Sequence, residues 1–202
     1  MKQKYHILNG DNLKEQFPKQ ILGETIINRE CLVDGNVHGS TLDELFINRS
    51  KIISKNYEGS SEEEYFQVAV SEFKKMQIIP IGAEINLWFE DDLFCQVNFW
   101  FVISLLIQKQ NNFLIYLVRP NSTNKYSFGG MNESELNEAF KNKTKMELSE
   151  IKKIGELWNL YQKDDCERML QISKGLEEKY PFLTPSIKAH IDRIPKKGNW
   201  AN

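Results

Sequence analysis

The sequence predicts an α/β protein with a Rossmann-like, mostly parallel sheet of about four strands and helices on both faces. Three observations carry this. Short strand-like runs alternate with helix-patterned stretches from Lys4 to Val118. One strand-like run, Glu84 to Trp88, leads into Asp92 to Leu106, which is apolar on nearly every side and reads as a buried helix. Three strand-like runs also end in polar groups, as they should where an open sheet presents its carboxyl ends to a cleft.

Taken in order, Lys4 to Leu8 is a short apolar run ending in Asn9-Gly10-Asp11, and Asp11 opens a helical stretch that Pro18 stops. Gly23 precedes a second strand, Glu24 to Asn28, followed by Arg29-Glu30 and a loop from Asp34 to Ser40. Ser40 or Thr41 caps a helix over about 42–54, with Leu42, Leu45, Phe46, Arg49 and Ile53 near helical spacing. Ser61 and Glu64 have capping-box spacing at the start of another helix, striped by Phe66, Val70 and Phe73. The third strand and the buried helix follow. Asn111-Asn112 end that helix, Phe113 to Val118 is the fourth strand, and 119–124 is a polar loop. From Asn132 onward the pattern is helical only, over 133–141, 147–162, 166–178 and 185–193. Gly129-Gly130 therefore divides a sheet domain, 1–130, from a helical appendage packed on it, 131–202.

Composition sets bounds. The chain has 202 residues, 41% hydrophobic and 27% charged, as ordinary globular proteins do. A net charge of −2 and a pI near 6.0 argue against a broad nucleic-acid footprint. Cys31, Cys95 and Cys166 are an odd count without metal-type spacing, which suits reduced thiols in a cytoplasmic protein. The start, MKQKYHILNGD, is too short and polar for a signal peptide. The run Leu93 to Ile107 is too short for a membrane span, so no membrane partner is expected.

The polar strand ends hold the candidate site. Each cluster has a plain structural reading beside the functional one. Gly10 suits a tight turn and Asp11 a helix cap, while Asn9, Gly10 and Asp11 together suit a ligand at a helix start. Glu90-Asp91-Asp92 places three carboxylates at one joint; one is enough for a cap, and all three favour the helix dipole. Hard divalent cations take such oxygens, which makes Asp11, Glu90 and Asp92 the candidate ligands for Mg²⁺. Gln96, one turn after Asp92 on an otherwise apolar face, needs partners and is expected at the cleft or at another strand end. Cys95 reads as a small core residue, since no base is paired with it in the sequence. Arg29 and Glu30 form either an ion pair or an anion-binding fork, and Arg49 is a further ligand-binding candidate. His38, in a Gly-rich loop, is the best-placed histidine for catalysis; His6 reads as a satisfied core histidine and His190 as part of a solvated face. Trp158 and Tyr161 read as packing residues.

The blocks HILNGD at 6–11, GE at 23–24 with RECLVDG at 29–35, and LWFEDDLFCQ at 87–96 resemble the bacterial family called domain of unknown function 1835. Glu135-Leu136, Trp158, Pro181-Phe182-Leu183 and His190 look like its helical part. The resemblance spans nearly the whole chain and implies that the strand-end motifs belong together, without supplying an activity. Its members often carry an acidic residue where this chain has Cys95.

Two functions remain. The first is an enzyme acting on a small phosphorylated or nucleotide-like ligand with Mg²⁺. In it Asp11, Glu90 and Asp92 hold the cation or act as acid and base, Arg29 and Arg49 bind ligand oxygens, and Gln96 orients ligand or water. The second is a non-catalytic module that binds a ligand or a nucleic acid, for which Lys188, Arg193, Lys196 and Lys197 form a basic cluster.

Overall fold

The computed structural model describes residues 2–108, 113–120 and 126–194. Its sheet has five strands: β1 (Lys4–Asn9), β2 (Glu24–Asn28), β3 (Glu84–Trp88), β4 (Leu114–Val118) and β5 (Thr144–Lys145). Their order is β2-β1-β3-β4-β5. The first four are parallel, and β5 pairs antiparallel to β4, with Thr144 opposite Leu117. The expected strands are therefore present, and a short fifth one extends the sheet from within the segment assigned to a helical appendage.

Two helices matter most for the site. α1 (Asp11–Glu15) follows β1 directly. Between β2 and β3 lie α2 (Leu42–Asn56), α3 (Glu62–Tyr65) and α4 (Ser71–Gln77), the last two joined by a widened turn at Phe66–Val70. The fifth helix, α5 (Leu93–Ile107), is buried without interruption from Cys95 to Leu106. The remaining helices are α6 (Glu133–Lys141), α7 (Leu148–Tyr161), α8 (Cys166–Lys174) and α9 (Leu183–Arg193). None of the described helices is long and apolar enough to cross a membrane.

Strand alternation sends side chains to two cores. Tyr5, Ile7, Ile26, Ile85, Leu87, Ile115 and Leu117 face α2, α4, α5 and α7 in the larger one. Leu8, Ile27, Trp88 and Val118 face α1 and α6 in the smaller one. The larger core includes Ile151, Ile154, Leu157, Trp158, Leu183 and Ile187 beside the residues of α5. At Gly155 a Cβ would come within 2.5 Å of Ile107, which shows how closely α7 lies against α5. Gly130 is thus no boundary in the packing: the later helices cover the sheet half and share its core.

His6 sits in the smaller core with no exposed surface. Its Nδ1 accepts from Trp88 Nε1 at 3.2 Å and its Nε2 donates to the Leu22 carbonyl at 3.3 Å. Gly23, at φ 155°, leaves room for the ring; a Cβ there would lie 2.7 Å from it. Burial pushes the His6 pKa down to about 4, against an ordinary value of 6.5. The unfolded chain therefore takes up a proton near pH 6.5 that the folded chain refuses until about pH 4. Stability from this group is fully present above pH 6.5 and is lost as pH falls toward 4, by about 1.4 kcal/mol per unit and up to about 3 kcal/mol in all. Urea unfolding at pH 7, 6, 5 and 4.5 should show a steeper loss for the wild type than for His6→Gln. Equal slopes would place His6 in water.

Candidate functional site

In a parallel sheet with this strand order, β1 has a neighbour on each side, and the chain reverses direction across it. The helices after β1 and β3 then lie on opposite faces and leave a crevice at the strand ends. Here α1 belongs to the smaller core and α5 to the larger one, so the crevice opens between the ends of β1 and β3. A cavity of about 360 Å³ occupies it. Asn9, Asn12 and Gln16 line it from the β1 side, and Glu90, Asp92, Phe94 and Cys95 line it from the β3 side. Tyr126, Phe128 and Gly129 close the third side.

The joint after β3 folds as a cap. Asp92 is the N-cap of α5, and its Oδ1 accepts from the Cys95 backbone N–H at 3.1 Å. Glu90 turns the other way: its Oε1 accepts from the Phe128 backbone N–H at 2.9 Å, and its Oε2 lies 3.6 Å from Cys95 Sγ. Gln16 Nε2 donates to the Phe128 carbonyl at 2.9 Å, so one turn, Ser127–Gly130, is fastened to both walls. Asp91 points outward to an ion pair with Arg119, while its carbonyl accepts from Ser186 in α9 at 2.7 Å.

Beneath the cavity lies a buried network of amides. Asn9 Oδ1 accepts from Asn28 Nδ2 at 2.8 Å and from Asn98 Nδ2 at 3.0 Å, and Asn9 Nδ2 meets Cys95 Sγ at 3.0 Å. Asn98 also donates to the Glu30 carbonyl at 2.7 Å and accepts from the Leu32 N–H. The ends of β1 and β2 and the first turns of α5 are pinned to one another by these bonds.

Several candidate residues lie elsewhere or do other work. Asp11 is the first residue of α1; Gly10 is the N-cap, and Asp11 makes no cap bond. Both Asp11 oxygens are taken by Arg29, at 2.7 and 2.8 Å, and that guanidinium holds the Asp11 carboxyl below its usual range. Asp11 is therefore not grouped with Glu90 and Asp92; the third member of that group is Cys95. Arg29 also donates to the Val68 carbonyl in the widened turn. Arg49 is wholly buried and grips Glu30 through Nε at 3.0 Å and Nη2 at 2.9 Å, with Tyr65 Oη donating to the same carboxylate at 2.6 Å. Arg49 and Glu30 are a structural pair, not groups presented to a ligand. Gln96 is buried and donates to the Glu90 carbonyl at 2.7 Å, so it shapes the joint without lining the cavity. His38 is exposed in its loop and absent from the cavity walls. His190 is buried against Tyr161, ring centroids 4.6 Å apart, rather than on a solvated face. Asn28, Asn98, Tyr65 and Phe128 are the partners that local sequence did not single out. Asn28 and Asn98 had a usable signal, each being an amide at an otherwise apolar strand end or helix face.

The chemistry of the cavity follows. Ligand atoms of Glu90, Asp92 and Cys95 lie within 4.8 Å of one another. A thiol with two carboxylates is not the all-oxygen set that Mg²⁺ selects; it suits a borderline divalent ion better. Burial, then Asp92 and Glu90, push the Cys95 thiol far above its ordinary pKa, so it is a protonated thiol here and not a ready nucleophile. Among the described residues, no lysine or arginine lines the cavity. What it offers is amide donors and acceptors, carboxylate acceptors and aromatic faces.

A scan against protein-family models finds no match for this chain, and a search of curated proteins finds none either.

Proposed function

We propose that the cavity binds a small nucleotide-like ligand through its base and sugar, and that Glu90 and Asp92 handle protons in a reaction on it. The observation that carries this reading is the coincidence of one cavity with the crevice between β1 and β3, walled by amides and carboxylates and flanked by Phe94, Tyr126 and Phe128. Amide and carboxylate side chains read the donor and acceptor edge of a heterocycle, and aromatic faces stack on it. Among the described walls a phosphate would meet two carboxylates and no cation, which favours a divalent ion between a phosphorylated ligand and the protein. The likeness to domain of unknown function 1835 belongs to the same proposal. It is supported by its three quoted blocks, which end at β1, β2 and β3, side by side. The nucleic-acid alternative has less behind it. Arg193 is engaged by Asp34, and Lys196 and Lys197 lie outside the described residues.

Titration calorimetry with nucleosides and their mono-, di- and triphosphates, with and without Mn²⁺ or Mg²⁺, tests the proposal. Nucleosides should bind without metal, and phosphorylated forms should bind only with it. Asp92→Asn keeps a capping side chain and removes the charge. Combined with Asn12→Ala, it should weaken binding about tenfold or more, equivalent to about 1.4 kcal/mol. Any ligand that binds should then be followed for turnover. Wild-type turnover that Glu90→Gln removes supports the chemical role; binding without turnover leaves a binding module. Absence of binding across the panel, or equal binding by the double variant, would overturn the site.

A further inference from the structure

The edge of the sheet opposite the cavity carries a second feature. The chain enters β2 and β3 there, and both strands pair with β1. Their entry loops therefore lie about 10 Å apart, two strand spacings. Leu22 stands in the loop before β2 and Ile78 and Ile81 in the loop before β3, and they are 75–76% exposed, the most exposed of the large hydrophobic side chains among the described residues. Folding gains nothing by placing three branched aliphatic side chains in water at one edge.

The unpaired charges around them are mostly positive. Lys2, Lys4, Lys19 and Lys74 are all exposed on these segments, and none forms an ion pair among the described residues. Glu24 is the one unpaired carboxylate of the same segments, since Glu84 is held by Lys143. This local excess of positive charge stands against a net charge of −2 for the chain. Composition gives no sign of it, because the lysines are scattered in sequence and only the fold gathers them.

We infer that this edge is a docking surface for an anionic lipid bilayer, with Leu22, Ile78 and Ile81 entering the interface and the lysines meeting lipid headgroups. Charge complementarity selects this occupant: the four lysines have no ion-pair partner among the described residues, and an anionic headgroup layer supplies the opposite sign. The three side chains stand in the loops that lead into β2 and β3. A bilayer needs no matching contour: aliphatic tips that reach the headgroup and acyl boundary, with nearby basic residues drawn to anionic lipid, are enough. Such docking leaves the cavity facing away from the membrane and open to solution.

Co-sedimentation with vesicles of phosphatidylcholine containing about one third phosphatidylglycerol decides it. The wild type should partition onto these vesicles at low salt, about tenfold more than onto pure phosphatidylcholine, and lose most of that binding at high salt. The triple change Leu22→Ser, Ile78→Ser and Ile81→Ser should lower partitioning at least tenfold without moving the thermal midpoint, because these side chains are already in water. Changing Lys2, Lys4, Lys19 and Lys74 to Gln should lower it similarly and remove the salt dependence. No partitioning at low salt would overturn the inference, as would partitioning that both variants retain. Self-association of the wild type that the triple change abolishes in sedimentation velocity would also overturn it, and would assign the edge to a second copy of the chain.

Discussion

Arg49→Met should destabilise the protein by about 3–5 kcal/mol, the range for removing one member of a buried ion pair. The pair is among the most enclosed polar groups described: the side chains of Arg49 and Glu30 are each 1% exposed. Burial by itself would lower the Arg49 pKa, but the Glu30 bonds outweigh it and hold the guanidinium charged. Arg49 also binds the carbonyls of Asp34 and Cys31, so one side chain closes the loop after β2 onto α2. Without it, the Glu30 carboxylate keeps only Tyr65 Oη and the Cys31 N–H as donors in a dry interior. Glu30 would then have to bind a proton or drag water inward. The double variant Arg49→Met with Glu30→Gln should recover part of the loss, because it removes the unpaired charge. Urea denaturation of the wild type and the two variants measures this. A single-variant loss below about 1 kcal/mol would mean that the pair is solvated.

Phe101→Ala should cost about 3–5 kcal/mol, the range for truncating a fully buried phenylalanine. Phe101 has no exposed surface, and its ring meets Phe73 at 5.2 Å and Trp158 at 4.9 Å between centroids. Those partners come from α4 and α7, so the cavity left behind would touch both the sheet half and the later helices. The variant should therefore unfold in one transition, shifted as a whole and equally by near- and far-ultraviolet circular dichroism. If the later helices were an independent appendage, the variant would show two transitions, only one of them displaced. Val97 and Leu105, one turn before and after on α5, are buried with Phe101, as an all-apolar helix requires.

Much of this was legible in the sequence because it is local. Short apolar runs between turn residues located β1 to β4 within a residue, and the strand-then-helix alternation implied their parallel pairing. Thr41, Ser61 and Asp92 cap their helices through their own side chains, a bond that spans three residues and can be read from spacing. The position of the site followed from topology alone: polar groups after β1, β2 and β3 must share one edge if the strands are parallel.

The identity of the groups at that edge was decided by the tertiary structure. Asp11 reaches Arg29 across 18 residues, Arg49 reaches Glu30 across 19, and Asn9 reaches Asn98 across 89, and no local pattern encodes such pairings. Charge pairing within the fold withdrew Asp11, Arg29 and Arg49 from the candidate site, because each met an opposite charge before any ligand could. The same holds for β5, only two residues long and made by pairing with β4. Sequence by itself determined the four parallel strands, most of the helices and the edge that holds the polar groups, since those depend on neighbours along the chain. Which side chains remain free at that edge, and which exposed loops come to lie side by side at the other, depend on contacts that exist only once the chain has closed on itself.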